Sequence, residues 1–391
     1  MNVTERLKQA HAEMTAWRQD IHAHPELGFE ELRTSDLVAE KLKSFGCEVH
    51  RGVGKTGVVG RLQAGNSPRS IGLRADMDAL PIQEANTFAY HSRNAGRMHA
   101  CGHDGHTTML LGAAQHLART KNFDGTINFI FQPAEEGLGG GKAMIEDGLF
   151  ERFPCDSIFG MHNWPGLSVG RFAIRPGGMM AGGAFFDVTV TGKGAHGAKP
   201  ETGIDPVLVA SHVVTALQSI ISRNVRPSDT AVLSITQIHG GDAYNVIPQE
   251  AVIKGTARAF SMDTLKLIET NMRRLSDSVA AGFGATAALD FRLIFLPTVN
   301  DAAETAFIAD TAAELVGEAN VNREGPLIMA SEDFSYMLNV RPGAYMMIGN
   351  GDGVGGCAVH NPAYDFNDEI LPLGASLFVR LAERKLERLP R

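Results

Sequence analysis

Apolar positions recur at helical spacing from the start of the chain. Val3, Leu7, Ala10, Met14 and Trp17 predict one helix. Leu32, Leu37, Val38, Leu42 and Phe45 predict another, with Gly46 placed to act as its C-cap. Short apolar runs follow. Residues 71–75, 126–131 and 157–162 read as strands, and a helix is expected near 107–117. Strands that alternate with helices predict an α/β layered domain.

The pattern changes in the middle of the chain. Phe186, Val188 and Val190 alternate as in a half-buried strand, and Pro206 sits in the first turn of an apolar helix over 206–222. Residues 231–238 and 251–259 read as strands, 263–283 as a helix and 286–295 as a strand. The order β-α-β-β-α-β is the ferredoxin-like pattern. Residues 182–297 are therefore expected to form a unit inserted into the α/β domain, which takes 1–181 and 298–391. Glycines 177, 178, 182 and 183 and Pro297 mark the hinges. A strand at 344–348 and a helix over 373–389 complete the α/β part.

Composition narrows the class of partner. The 36 Lys and Arg against 44 Asp and Glu give a net charge of −8, which argues against nucleic acid or an anionic membrane as the main partner. No apolar run approaches the ~20 residues of a membrane span. The stretch MNVTERLKQAHAEM lacks the apolar core of a signal peptide. Four cysteines in 391 residues are too few for a disulfide framework, so a reducing, cytoplasmic setting is expected.

Several familiar patterns fail on context. The Gly192-x-Gly194-x-x-Gly197 and Gly351-x-Gly353-x-x-Gly356 runs lack the helix that a dinucleotide fingerprint opens. Gly166-x-Ser168-x-Gly170 precedes an apparent strand, whereas a serine nucleophile elbow needs a helix. Gly54-Lys55-Thr56 lacks the earlier glycine of a phosphate-binding loop.

Four other windows carry metal-ligating residue types at strand ends or in loops. The first is His99-Ala100-Cys101-Gly102-His103-Asp104-Gly105-His106, just before an apolar helix. It reads either as a metal site or as a helix start with exposed histidines. The second, Gln132-Pro133-Ala134-Glu135-Glu136-Gly137, follows an apolar strand at the edge where α/β domains bind ligands. Adjacent carboxylates on a regular strand point apart, but Pro and Gly here suit irregular backbone that aims both inward. The third and fourth place His162 and His360 at a strand end and in a loop. Together Cys101, His103, Glu136, His162 and His360, with Glu135 to spare, exceed what one tetrahedral zinc needs. They suit two metals about 3.5–4 Å apart with a shared ligand. Asp76 and Asp78 close another strand. They fit either orientation of a metal-bound histidine or a capped turn before Pro81.

These windows, in this order, resemble the metal-dependent aminoacylase/carboxypeptidase superfamily, in the branch of hippurate hydrolases, N-acyl-amino-acid amidohydrolases and auxin-conjugate hydrolases. Residues 22–31, 74–81, 194–200, 245–248 and 331–334 match as well, so the resemblance spans nearly the whole chain. It implies an α/β/α catalytic domain with an inserted ferredoxin-like lid that commonly mediates dimerisation. It implies metal ligation by Cys101, His103, Glu136, His162 and His360, with Cys101 in the bridging place that an Asp holds in related carboxypeptidases. Glu135 falls on the general base, His196 on an oxyanion-holding lid residue, and Asn245 and Arg258 on lid positions near the substrate. Asp78 belongs with the catalytic set, and the 331–334 window carries no assigned role. The resemblance implies hydrolysis of small N-acyl amino acids with two divalent ions (Zn, Mn, Co or Ni) in a homodimer or homotetramer. A dipeptidase or carboxypeptidase on the same fold is the alternative.

Overall fold

The computed structural model describes residues 3–352 and 357–388. Gly353, Gly356 and Leu389, which entered expectations above, lie outside the described residues. The chain forms two compact units. One runs up to Met179 and takes in Val299–Pro326 and the residues from Asp333 onward. The other is Met180–Thr298 with Leu327–Glu332.

In the first unit an eight-stranded sheet has the order Glu48–Val53, Gly57–Ala64, Gly125–Gln132, Ser70–Asp76, Ser157–Pro165, Gly343–Gly351, Phe172–Ala173, Val321–Asn322. Its four central strands, from Gly125–Gln132 to Gly343–Gly351, are mutually parallel. Asp76, Gln132 and the end of Ser157–Pro165 therefore finish on one edge, where an α/β sheet binds ligands. Ile71, Leu73, Phe129, Phe131, Phe159, Met346 and Ile348 pack with Met14, Val38, Leu110, Leu111 and Phe378 of the covering helices in one continuous core. Burying a side chain of this size contributes about 1.5–3 kcal/mol.

The mixed α/β architecture is the expected one, with local differences. The first helix is two, Val3–Gln9 and His11–Ala23. Ala10 leaves helical geometry with ψ near 2°, and its N–H turns back to Leu7 O at 3.0 Å. The helix expected near 107–117 is His103–Thr120, which brings His103, Asp104 and His106 into its first turn. The reading with exposed histidines is thereby corrected, since all three side chains are buried. Helix Leu32–Phe45 does end at Gly46 with φ 90°.

The second unit has a four-stranded antiparallel sheet in the order Ala231–Gly240, Glu250–Ala259, Gly182–Thr191, Thr286–Phe295. Phe186, Val188, Val190, Ala251 and Ile253 pack against Val209, Val213, Leu217, Ile268 and Met272 of the helices Pro206–Ser219 and Met262–Gly282. Leu327–Glu332 joins this unit through Ala181, whose N–H reaches Ile328 O and Ala330 O at 2.9 and 3.1 Å. Such a distant return carries no periodic signal in the sequence.

Candidate metal centre

The site lies within the first unit and is assembled from the carboxyl edge of its sheet. Cys101, His103 and His162 bring one ligand atom each within 4.8 Å of one another, and so do Cys101, Glu136 and His360. The two groups share Cys101 alone. Cys101 Sγ lies 3.3 Å from His162 Nε2. His103 and Glu136 also group with Glu135 within the same limit.

Local backbone explains how such distant residues converge. Gly102 precedes the His103–Thr120 helix with φ 101°, and a Cβ there would lie 2.2 Å from Asn163 Oδ1. Only glycine permits that turn, which separates Cys101 from the helix while His103 starts it. His360 has φ 66°, and its N–H donates to Ala100 O at 2.7 Å, tying its loop to the Cys101 segment. Ala134, just before the paired carboxylates, has φ 51°. Non-glycine residues in this region cluster at functional sites.

Hydrogen bonds orient the candidate ligands. His103 Nδ1 donates to Asp78 Oδ1 at 3.2 Å, and the second oxygen of Asp78 accepts the Glu136 N–H at 2.9 Å. Asp78 thus holds two candidate ligands at once. His162 Nδ1 donates to Asn163 O at 2.6 Å, leaving Nε2 toward Cys101. Asp76 serves the neighbouring His106, 2.6 Å from its Nδ1, while Asn163 Oδ1 meets His106 Nε2 at 2.6 Å. His106 is consequently spent on structure. His99 is buried with neither ring nitrogen hydrogen-bonded among the described residues, and burial lowers it to about 4.

The donor set fits divalent metal. Among the described residues His103 Nε2 is buried without a hydrogen-bond partner, which is costly unless something else satisfies it, while Glu136 Oε1 lies 3.2 Å from His360 Nε2. Thiolate, imidazole and carboxylate together suit zinc and its divalent neighbours. Burial pushes the Cys101 thiol up, with Glu136 adding to the rise. Burial alone would also raise Asp76, but His103, His106 and Arg74 hold it well below the carboxylate range.

Glu135 is buried and accepts the Asp333 N–H at 3.3 Å. Asp333 is itself fixed, its carboxylate accepting the Gly141 N–H at 2.7 Å and an Arg74 Nη2 proton at 3.3 Å. The 331–334 window, which had no role in the sequence, therefore supplies support for Glu135. Glu31 is a second residue missed from sequence. Its oxygens accept Thr56 Oγ1 at 2.6 Å and the Ala134 N–H at 2.8 Å. No spacing rule links residues 31, 56 and 134, so only the fold could show this.

Burial raises the Glu31 carboxyl to about 7, despite the opposing hydrogen bonds. A carboxyl with a raised folded pKa contributes stability below its unfolded pKa and loses it as pH rises through the folded value. Glu31→Gln removes that dependence. Its melting temperature is expected to match the wild type near pH ~5 and to exceed it by a few degrees near pH ~8. Parallel melting curves across that range would contradict this account of Glu31.

In the second unit, a two-stranded ribbon pairs Val246 with His196 and Ile247 with Ala195. Gly197 N–H donates to Asn245 O at 2.8 Å, so His196 and Asn245 are neighbours on an exposed ribbon. Arg258 is half-buried and donates to Ser331 Oγ. Among the described residues it makes no ion pair, unlike a surface arginine held by a carboxylate.

Comparison with known proteins agrees with this architecture. The model of peptidase family M20/M25/M40 matches residues 72–384. The chain is 45% identical to a hippurate hydrolase of Campylobacter jejuni, over 99% of this chain and 100% of that one. It is 40% identical to IAA-amino acid hydrolase ILR1-like 4 of Arabidopsis thaliana, over 95% and 86%. The crystal structure of the Bacillus subtilis YXEP protein, described as a dinuclear metal binding peptidase of the M20 family, superimposes with a TM-score of 0.85 at 32% identity, covering 98% and 100%. The chain belongs to peptidase family M20/M25/M40, in the branch that includes the hippurate hydrolases and auxin-conjugate hydrolases.

Proposed function

We propose that this hydrolase cleaves the amide bond of N-acyl amino acids, of the hippurate or N-acetyl type, to a carboxylic acid and a free amino acid. The observation that carries the reading is a pair of metal-ligating groups that share Cys101, with an additional buried carboxylate, Glu135, alongside. A purely structural site needs no such spare base. Two divalent cations, when bound, would lower the pKa of water and polarise the substrate carbonyl. Cys101, His103 and His162 would hold one, and Cys101, Glu136 and His360 the other. Glu135 takes the proton from water and returns it to the departing amine. Asp78 keeps His103 and Glu136 aimed while this proton moves.

The second unit supplies the remaining assignments. His196 is the proposed oxyanion donor and Asn245 its neighbour at the substrate. Arg258 is the proposed grip on the substrate α-carboxylate, for which a guanidinium is well shaped. The absence of an ion pair to it among the described residues supports this role. Zn, Mn, Co and Ni all suit the donor set, and a cytoplasmic homodimer or homotetramer fits the resemblance. No helix among the described residues is long and apolar enough to cross a membrane.

The test is a panel of acetyl, benzoyl and indoleacetyl amino acids, assayed with each metal beside unblocked dipeptides. Blocked substrates are expected to turn over at least ~10-fold faster than dipeptides, a difference of about 1.4 kcal/mol in the barrier. A chelator should abolish the activity. Faster cleavage of the dipeptides would establish the dipeptidase reading instead.

A further inference from the structure

Glu31 is a buried carboxyl that belongs to neither metal-ligating group and has no part in the chemistry above. It stands at the start of the Leu32–Phe45 helix yet does not cap it with its side chain. Both of its oxygens are turned away, one to Thr56 and one to the main chain of Ala134. Ala134 immediately precedes Glu135 and has the left-handed backbone, φ 51°, that L-residues rarely adopt.

The hydrogen bonds of this turn can be followed one by one. Ala134 O accepts the Gly140 N–H at 3.0 Å, and the Gly137 N–H turns back to Glu135 O at 2.6 Å. The Glu136 N–H goes to Asp78. The Ala134 N–H goes to Glu31. Without Glu31 that buried donor would be unpaired, and a turn that relaxed to recover a partner would rotate the peptide leading into Glu135. The segment carrying Glu31 also packs directly on the turn, since a Cβ at Gly28 would lie 3.0 Å from Ala134 Cα.

We propose that Glu31 is a positioning residue for the reaction, holding Ala134 in its left-handed conformation so that Glu135 is aimed for proton transfer. The inference rests on Glu135 being the base. It acts through reach and hydrogen bonding, not through charge. Gln preserves both contacts, its oxygen accepting the Ala134 N–H and its amide donating to Thr56 Oγ1. Asp preserves the charge but is one methylene too short for both. The raised pKa of Glu31 agrees with a side chain that need not be ionised.

The experiment compares Glu31→Gln, Glu31→Asp and Glu31→Ala in the metal-loaded enzyme, with Glu135→Gln alongside, reading kcat, KM and metal content. Glu31→Gln is expected to keep kcat within ~3-fold, while Asp and Ala lose roughly 10²-fold, because small misplacements of a reacting group cost that much. KM and metal content should stay near the wild type in all three. If Glu31→Ala does not fold, the Gln and Asp pair still decides. Loss with Gln and retention with Asp would overturn the proposal in favour of a charge role. Wild-type kcat in Asp and Ala, or a loss that only tracks lost metal, would overturn it too. Substantial turnover by Glu135→Gln would be a separate failure, removing the base assignment and this inference with it.

Discussion

Glu135→Gln is expected to reduce turnover toward the upper end of the roughly 10²–10⁴-fold range of a lost general base, with metal content unchanged. The effect should be large because one carboxylate serves twice, first taking a proton from water and then giving it to the amine. The substitution keeps the side chain's size and an oxygen that can still accept the Asp333 N–H. It leaves Cys101, His103, Glu136, His162 and His360 in place, so the two groups that share Cys101 remain complete. Metal analysis beside kcat separates the two roles that adjacent glutamates could exchange. Glu136→Gln should instead lose metal from the group it shares with Cys101 and His360. A Glu135→Gln enzyme with full metal and turnover within ~10-fold of the wild type would remove Glu135 as the base.

The candidate ligands Glu136 and His162 stand out in the sequence because they sit where an apolar run stops, Cys101 and His103 because they open an apolar helix, and His360 only by residue type. Gly125–Gln132 and Ser157–Pro165 are buried almost throughout, and the chemistry-bearing residues fall at or just beyond their carboxyl ends. A hydrophobic pattern that breaks at His162 or before Glu135 therefore marks the functional edge of a parallel sheet. The strands Glu48–Val53 and Gly57–Ala64 escaped notice for the converse reason. They lie at the sheet's antiparallel edge, and in the outermost only Val53 is buried, so its polarity hides it. Helix Ala302–Val316 was missed as well, although Asp301 caps it by accepting from Ala303 and Glu304 N–H at 2.9 Å.

What supports the ligands was much less visible. Asp76 and Asp78 could be suspected because they close a strand, but which histidine each serves depends on how the His103–Thr120 helix is placed. Glu31 and Asp333 are separated from Glu135 by 104 and 198 residues and share no periodicity with it. The pair His22 and Asp104, 2.7 Å apart and buried, illustrates the same limit. Burial opposes a charge on His22, yet Asp104 and Glu84 raise it to about 9. Its sequence context, His22-Ala23-His24-Pro25, contains no hint of either carboxylate. Ligands are read from residue type and position along a strand, whereas their supports are read only from the packed structure.

Cys101→Ala is expected to lower metal content toward zero and turnover by ~10³-fold or more, whereas His162→Ala and His360→Ala should each lose about one metal per chain. The asymmetry follows from the ligand groups. Cys101 belongs to both, while His162 stands with Cys101 and His103, and His360 with Cys101 and Glu136. Bound divalent ions contribute several kcal/mol of transition-state stabilisation, and each 1.4 kcal/mol is tenfold in rate. Cys101→Asp provides the chemical control. A carboxylate occupies the corresponding place in related carboxypeptidases by the resemblance drawn from the sequence. It should restore two-metal binding while shifting preference from zinc toward manganese, as the donor becomes harder. Metal titration of the three alanine variants and the aspartate variant, with activity read in parallel, distinguishes a shared ligand from one that belongs to a single ion. Loss of only one metal in Cys101→Ala, with His162→Ala and His360→Ala indistinguishable from it, would mean that the thiolate is not shared.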